Sequence, residues 1–196
     1  MASVKRRGGH VVATLQAEEA QLLRLLAADL RALLAADEPD SAEPLGSLTD
    51  PLQSLTDPLQ SLTGVAEEAP KPPTDPALAR LLPDGYAEDF PDDGAAAAEL
   101  RRLTEGDIRA AKNTAADAML ASLPESGGRI RLSEEEATAW AAALNDLRLV
   151  LGTRLDVTEE TEPFGGRSPD DPAAAPYAIY HWLTGLQDDV INALSY

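Results

Sequence analysis

The stretch that decides the fold is SEEEATAWAAALNDLRLVLGTRL, residues 133–155. Ser133 and Glu136 have the spacing of a capping box, in which each side chain accepts a hydrogen bond from the other residue's amide. Apolar residues then recur every three or four positions, which is the period of an α-helix: Trp140, Leu144, Leu147, Leu151 and Leu155. Leu149 falls on the opposite side. A helix with two apolar faces is expected inside a bundle, with the other helices packed around it.

Other segments also carry helical patterns. Residues 15–36 place Leu22, Leu26, Leu30 and Leu33 on one face. Thr104 and Asp107 resemble a cap, which predicts two helices, 95–103 and 104–123, with Ile108 facing inward. A last helix is predicted from Pro176 to about residue 194.

Two short segments, residues 10–14 and 129–132, have the composition of strands and can pair with each other. The predicted fold is therefore mainly α: a helical bundle of about five helices with a minor two-stranded β element.

Changes in composition divide the chain into five segments. The predicted organisation is an N-terminal tail, short strand and first helix (1–36), a Pro-rich disordered linker (37–76), the bundle core (77–158), a mobile acidic, Gly- and Pro-containing loop (159–175) and the C-terminal helix of the same bundle (176–196). The linker contains the repeat SLTDPLQ, whose leucines have coiled-coil spacing. Pro51 and Pro58 would each cost about 3 kcal/mol inside a helix, so short turns are expected there. Docking of these leucines on a partner stays open.

The charge balance restricts the classes of partner. A net charge of −18 and a pI near 4.3 argue against general nucleic-acid binding, because phosphate contacts need a basic surface. The absence of cysteine excludes disulfides, thiolate metal sites and thiol redox chemistry. No apolar run approaches the about 18 residues of a membrane span, and no signal peptide is recognised. We therefore expect a cytoplasmic protein that does not bind membranes.

Residues suited to catalysis are scarce. His181 and Asp188 share one face of the last helix, but that face is predicted to be the solvent side. No nucleotide-binding, nucleophile or metal-ligand motif is present. The sequence therefore predicts no enzyme, with no catalytic, cofactor-binding or metal-binding residues and no cofactor.

Three stretches together resemble a known family: LLPDGYAEDFPDDGAAAAELRRLTEGDIRAAK (81–112), WAAALNDLRLVLGTRL (140–155) and YHWLTGLQDDVINAL (180–194). They are similar to an actinobacterial domain-of-unknown-function family that is often encoded near the Clp-protease adaptor. The resemblance implies a cytoplasmic helical protein without established enzymatic chemistry. It also implies a role in oxidative-stress transcription regulation, through contact with RNA polymerase or a sigma factor. The family's proposed redox switch is a cysteine pair, which this chain lacks, so that part does not transfer.

The resemblance also singles out polar residues in the first two stretches: Arg101, Arg102, Thr104, Asn145, Asp146, Arg148 and Arg154. Two interpretations are open. They form either a structural polar network between helices or a partner-binding site. Arg148 and Arg154 in particular either lay their methylene groups on apolar surface or hold a carboxylate.

The functional hypotheses follow from these observations. The first is a non-enzymatic regulatory protein that acts by protein–protein contact, in transcription or the oxidative-stress response. The alternative is a small-molecule-binding domain or enzyme with a pocket near Arg148 and Arg154. Direct DNA binding would need exposed cations on a helix, for which Arg101, Arg102 and Arg109 are the nearest candidates. The partner and the oligomeric state do not follow from the sequence.

Overall fold

The structure is a computed structural model that describes residues 2–36, 72–83 and 94–195. In these ranges the chain forms three strands and five α-helices in the order β1 (Ser3–Arg7), β2 (His10–Leu15), α1 (Ala17–Ala35), α2 (Pro76–Leu81), α3 (Gly94–Ser122), β3 (Gly128–Leu132), α4 (Glu134–Arg154) and α5 (Ala175–Ser195). Short 3₁₀ turns at Pro163–Gly166 and Pro172–Ala174 precede α5. The predicted mainly α class is confirmed. The SLTDPLQ repeat and its predicted linker, up to residue 71, lie outside the described residues.

Helix α4 holds the central position that its sequence predicts. The Ser133 hydroxyl accepts from the Glu136 amide at 3.1 Å, and the Glu136 carboxylate accepts from the Ser133 amide at 2.7 Å. Trp140, Leu144 and Leu147 are buried. The helix packs against α1, α2, α3 and α5. The capping box fixes where the helix begins, and its stripe of large apolar side chains lies at the centre of the core.

The sheet has three strands, so the prediction of two was wrong. β2 pairs antiparallel with β3 as expected, but β1 pairs with the other edge of β2. Gly8 and Gly9 join β1 to β2 with φ angles of 57° and 80°, and a two-residue turn with two positive φ angles is typical of a hairpin. The N-terminal tail is therefore largely a strand. Its inward residue Val4 contributes to the core that the sheet shares with the helices.

Helix α3 is continuous, so the predicted division at Thr104 was wrong. The Thr104 hydroxyl donates to the carbonyl of Leu100 at 2.8 Å, which is an interaction within a helix and not a cap. Ile108, which was expected to face inward, is 36% exposed. On α1 the buried residues also differ from the predicted face and share only Leu30 with it. They are Ala20, Leu23, Ala27, Leu30 and Leu34.

Three arginines satisfy carbonyl groups at helix ends from other parts of the chain. Arg109 of α3 donates to the carbonyl of Leu34 at the end of α1. Arg24 of α1 donates to the carbonyl of Leu123 after α3, at 2.9 Å. Arg6 of β1 reaches the carbonyls of residues 193 and 194 at the end of α5. The last carbonyls of a helix have no partner within it, so these contacts fix where each helix ends.

In the described ranges, no helix is long and apolar enough to cross a membrane.

Candidate functional site

Three of the seven polar residues selected from the sequence, Asp146, Arg148 and Arg154, contact residues outside their own helix α4. Arg148 of α4 is the residue with the most such contacts. Its Nε donates to the Thr184 hydroxyl at 2.9 Å, and its Nη1 donates to the Gln187 side-chain oxygen at 2.5 Å. The guanidinium also lies 5.6 Å from the centre of the Tyr180 ring, within the range of a cation–π interaction. Gln187 in turn donates to the carbonyl of Ala141 at 3.2 Å, which links α5 back to α4.

A second set of polar contacts runs along α3. Arg101 donates to one oxygen of Glu105 at 3.0 Å, and Arg109 donates to the other at 2.7 Å. The side chains of Arg101 and Arg109 are 5% and 6% exposed. A single carboxylate thus bridges two buried guanidinium groups, and Arg109 extends the set to the end of α1. These two arginines are consequently not on an exposed cationic surface, as direct DNA binding would require.

Asp146 faces α3 and pairs with Lys112. The Lys112 Nζ lies 2.7 Å from Oδ1 of Asp146, and the two side chains are 19% and 5% exposed. Burial of a carboxylate is costly unless a cation and hydrogen bonds replace water. This ion pair joins α3 to the central helix α4. Lys112 was not among the residues chosen from the sequence.

Arg154 contacts the start of α2. Its Nη2 lies 2.6 Å from Oδ2 of Asp75, and Oδ1 of Asp75 accepts from the amides of Ala77 and Leu78. Partial burial alone would raise the pKa of Asp75, but the hydrogen bonds from Arg154, Leu78 and Ala77 together outweigh it and lower the pKa. Arg154 therefore stabilises the carboxylate that caps α2.

The remaining predicted residues do not join these contacts. Arg102 pairs on the exposed side of α3 with Glu99, whose pKa is lowered chiefly by this hydrogen bond. Thr104 bonds to its own helix, and Asn145 is exposed. Sequence reasoning also missed Lys112 and three further members: Glu105, Thr184 and Gln187. The spacing of four residues between Arg101, Glu105 and Arg109 was a signal for their ladder, but dividing α3 at residue 104 concealed it.

Two surface depressions bear on ligand binding. A cleft of about 330 Å³ is lined by Arg80, Arg148, Tyr180 and Asp156, among others, but not by Arg154. Two nitrogens of the Arg148 guanidinium, Nε and Nη1, already donate to α5, so at least part of its donor capacity is used within the protein. A second, mainly apolar groove of about 280 Å³ lies between α1 and α5 and is lined by Glu18, Glu19, Leu22, Ala178, Ile179 and Trp182.

The geometry identifies no acid–base pair or metal site in the described part of the chain. His181 and Asp188 are exposed on α5, as the sequence predicted. Among the described residues, no group of three or more His, Asp or Glu side chains is placed to hold a metal ion. The side chains brought together at α4 are cations with carboxylate, amide and hydroxyl partners, an arrangement that fixes helix positions.

Comparison with protein families agrees with the quoted motifs. Residues 1–194 match the family described as Domain of unknown function (DUF2017). The chain belongs to this family. The match covers the strands, the helices and the segments between them, so it extends well beyond the three stretches from which the resemblance was recognised. That resemblance is confirmed.

Individual relatives cover nearly the whole chain. It is 37% identical over 203 residues to the oxidative stress regulator AosR of Mycobacterium tuberculosis (strain ATCC 25618 / H37Rv), spanning 96% of this chain and 84% of the relative. It is 40% identical over 186 residues to the putative oxidative stress regulator AosR of Mycobacterium leprae (strain TN), spanning 90% of this chain and 78% of the relative. Comparison with solved structures finds no match.

Proposed function

We propose that this member of the DUF2017 family is a non-enzymatic regulatory protein of the oxidative-stress response that acts by protein–protein contact in transcription. The observation that carries the proposal is the identity of 37% with an oxidative stress regulator over 96% of this chain. Similarity of that extent covers the central helix and the sheet as well as the loops. The partner that the proposal names is RNA polymerase or a sigma factor.

The chemistry of the described residues supports contact over catalysis. Arg148, Arg154 and Asp146 are each held by other side chains of the same protein. These interactions leave a rigid helical scaffold whose free surface is the part available to a partner. The groove beside Trp182 provides an aromatic and aliphatic surface, and side chains of that type contribute much of the binding energy at protein interfaces.

The proposal assigns no oxidant sensing to a thiol of this chain, because the sequence contains no cysteine. Regulation would instead depend on the abundance of the protein or on a change in its partner. Oxidation of the purified chain under conditions that modify only thiols is accordingly expected to leave its partner binding unchanged.

The test is affinity purification of the tagged chain from its own host, at moderate salt, followed by mass spectrometry. Enrichment of RNA polymerase or a sigma factor over a tag-only control supports the proposal. Direct contact is then checked by mixing the purified proteins and following co-elution in size-exclusion chromatography. Recovery of the chain alone, or failure of the purified proteins to co-elute, contradicts the proposed partner.

A further inference from the structure

The outward face of the three-stranded sheet is basic, in a chain of net charge −18. Between β1 and β2, Lys5 pairs with Val12 and Arg7 pairs with His10. Between β2 and β3, Val12 pairs with Arg131 and Thr14 pairs with Arg129. Lys5, Arg7, Arg129 and Arg131 are all exposed, and these four residues are called the basic face below. None of the three strands contains an aspartate or a glutamate. The hairpin and β3 thus gather cations from two distant parts of the sequence.

The cations of the basic face have no partners within the described chain. Their side chains make no ion pair, hydrogen bond or aromatic contact there. Most other described cations are engaged: Arg6, Arg24, Arg31, Arg101, Arg102, Arg109, Lys112, Arg148, Arg154 and Arg167 each contact a carboxylate, carbonyl, hydroxyl, amide or ring. Among the other Lys and Arg residues of the described ranges, only Arg80 has no such contact. With 34 acidic residues available in the chain, four unpaired cations together on one face need a separate explanation.

We propose that the basic face binds an acidic, extended peptide segment of a protein partner. Neighbouring strands lie about 4.8 Å apart, and alternate residues of one strand about 6.8 Å apart. Lys5 and Arg7 on β1, and Arg129 and Arg131 on β3, therefore form two rows with the side-chain repeat of an extended peptide. A segment with a carboxylate at every second residue matches either row. The inference deepens the proposed function by naming the chemistry that the partner presents.

Charge around the basic face favours an acidic peptide over nucleic acid. Exposed acidic residues lie close to both ends of β3, with Glu125 before it and Glu134, Glu135 and Glu136 after it. Electrostatic screening acts over about 8 Å at physiological ionic strength, so a long polyanion would meet these carboxylates beyond the short strands. A peptide of a few residues fits between them.

The experiment is a fluorescence anisotropy titration of the full chain with a labelled five-residue peptide of alternating Glu and Ala, which has the length of one strand of the basic face. The matched control probe replaces each Glu with Gln. We expect the Glu peptide to bind, the Gln peptide not to bind, and the affinity to fall as salt is raised. The double variant Arg129→Gln/Arg131→Gln should weaken binding about tenfold, because it removes one row of cations. The double variant Arg31→Gln/Arg80→Gln removes the same charge elsewhere and should bind as the unmodified chain does.

Three results would overturn the proposal. The first is that the Glu peptide does not bind, and the second is that both double variants lose the same amount of affinity for it. The third is that a labelled ten-nucleotide thymidine strand binds more strongly than the peptide. A change in molar mass by light scattering, if caused only by the Arg129/Arg131 substitutions, would assign the face to contact between copies and also overturn it. Circular dichroism checks that both variants remain folded. Because the titration uses no cellular partner, its failure is separate from failure of the capture of RNA polymerase or a sigma factor.

Discussion

Lys112 and Asp146 form an ion pair across the interface between α3 and α4, with 2.7 Å between Nζ and Oδ1 and only 5% of the Asp146 side chain exposed. Removing one member leaves the other charge poorly solvated. We expect Asp146→Ala to lower the free energy of unfolding by about 3 kcal/mol, measured by urea denaturation. An equally stable variant would show that Lys112 finds water or another partner at no cost.

The same pair has a matched control on the surface. Arg31 and Asp117 lie 2.9 Å apart, but their side chains are 50% and 53% exposed. We expect Arg31→Ala to lower the free energy of unfolding by about 0.5 kcal/mol.

We also expect Lys112→Met/Asp146→Leu to cost less than the sum of its single substitutions, because the double variant leaves no charge behind. Additive costs would argue against a direct interaction.

Arg148 tests whether the predicted site residues are structural. Arg148→Ala removes hydrogen bonds to Thr184 and Gln187 and is expected to lower the free energy of unfolding by about 2 kcal/mol. Arg148→Lys should recover only part of this loss, since an ammonium group lacks the planar fork of donors. Arg80→Ala, which lines the same cleft but has no partner in the described chain, should change stability little. If Arg148→Ala abolished partner capture without loss of stability, a binding role would replace the structural one.

Two glycines give opposite predictions. A Cβ on Gly127 would lie 2.6 Å from the backbone nitrogen of Ala17, and the residue has a φ of 76°. Gly127→Ala is therefore expected to lower the melting temperature, with a cost of about 2 kcal/mol or more. Gly106 lies within α3 with nothing within 4 Å of its added Cβ, so Gly106→Ala should stabilise the protein by about 0.5–1 kcal/mol. A stabilising Gly127→Ala would mean that the turn before β3 can move away from α1.

The central helix was predictable because local and global signals agree there. The capping box, the spacing of Trp140 and the leucines, and the second apolar side all require the same buried helix. Gly152 lies inside this helix where α5 approaches closely, since an added Cβ would lie 3.2 Å from the Tyr180 ring. The sequence could not name Tyr180, because that contact depends on how α5 crosses α4.

The errors have physical causes. β1 has a single apolar residue at Val4, so periodicity did not reveal it, although the Gly8–Gly9 pair was the turn signal that could have done so. Thr104 and Asp107 match a capping pattern, but residues that favour caps also occur inside helices when tertiary packing holds them there. For the site, the family resemblance selected Asp146 and Arg148 but not the residues that they contact, since Lys112 and Gln187 lie on other helices and are distant in sequence.

The cap of α2 gives a prediction that depends on pH. Asp75→Ala removes the acceptor for two backbone amides and the partner of Arg154, and should lower the free energy of unfolding by about 1 kcal/mol at pH 7. Asp75→Asn retains an acceptor oxygen but loses the charge, so it should cost less.

The pKa of Asp75 is lowered from 3.8 in the folded protein. Its charge therefore contributes full stability above the unfolded pKa, and the contribution is lost as the pH falls through the folded value. The stability difference between the unmodified protein and Asp75→Asn should stay constant from pH 7 to pH 5 and shrink below about pH 4, as measured by urea denaturation at each pH. A difference that grows on acidification would contradict the role given to Arg154.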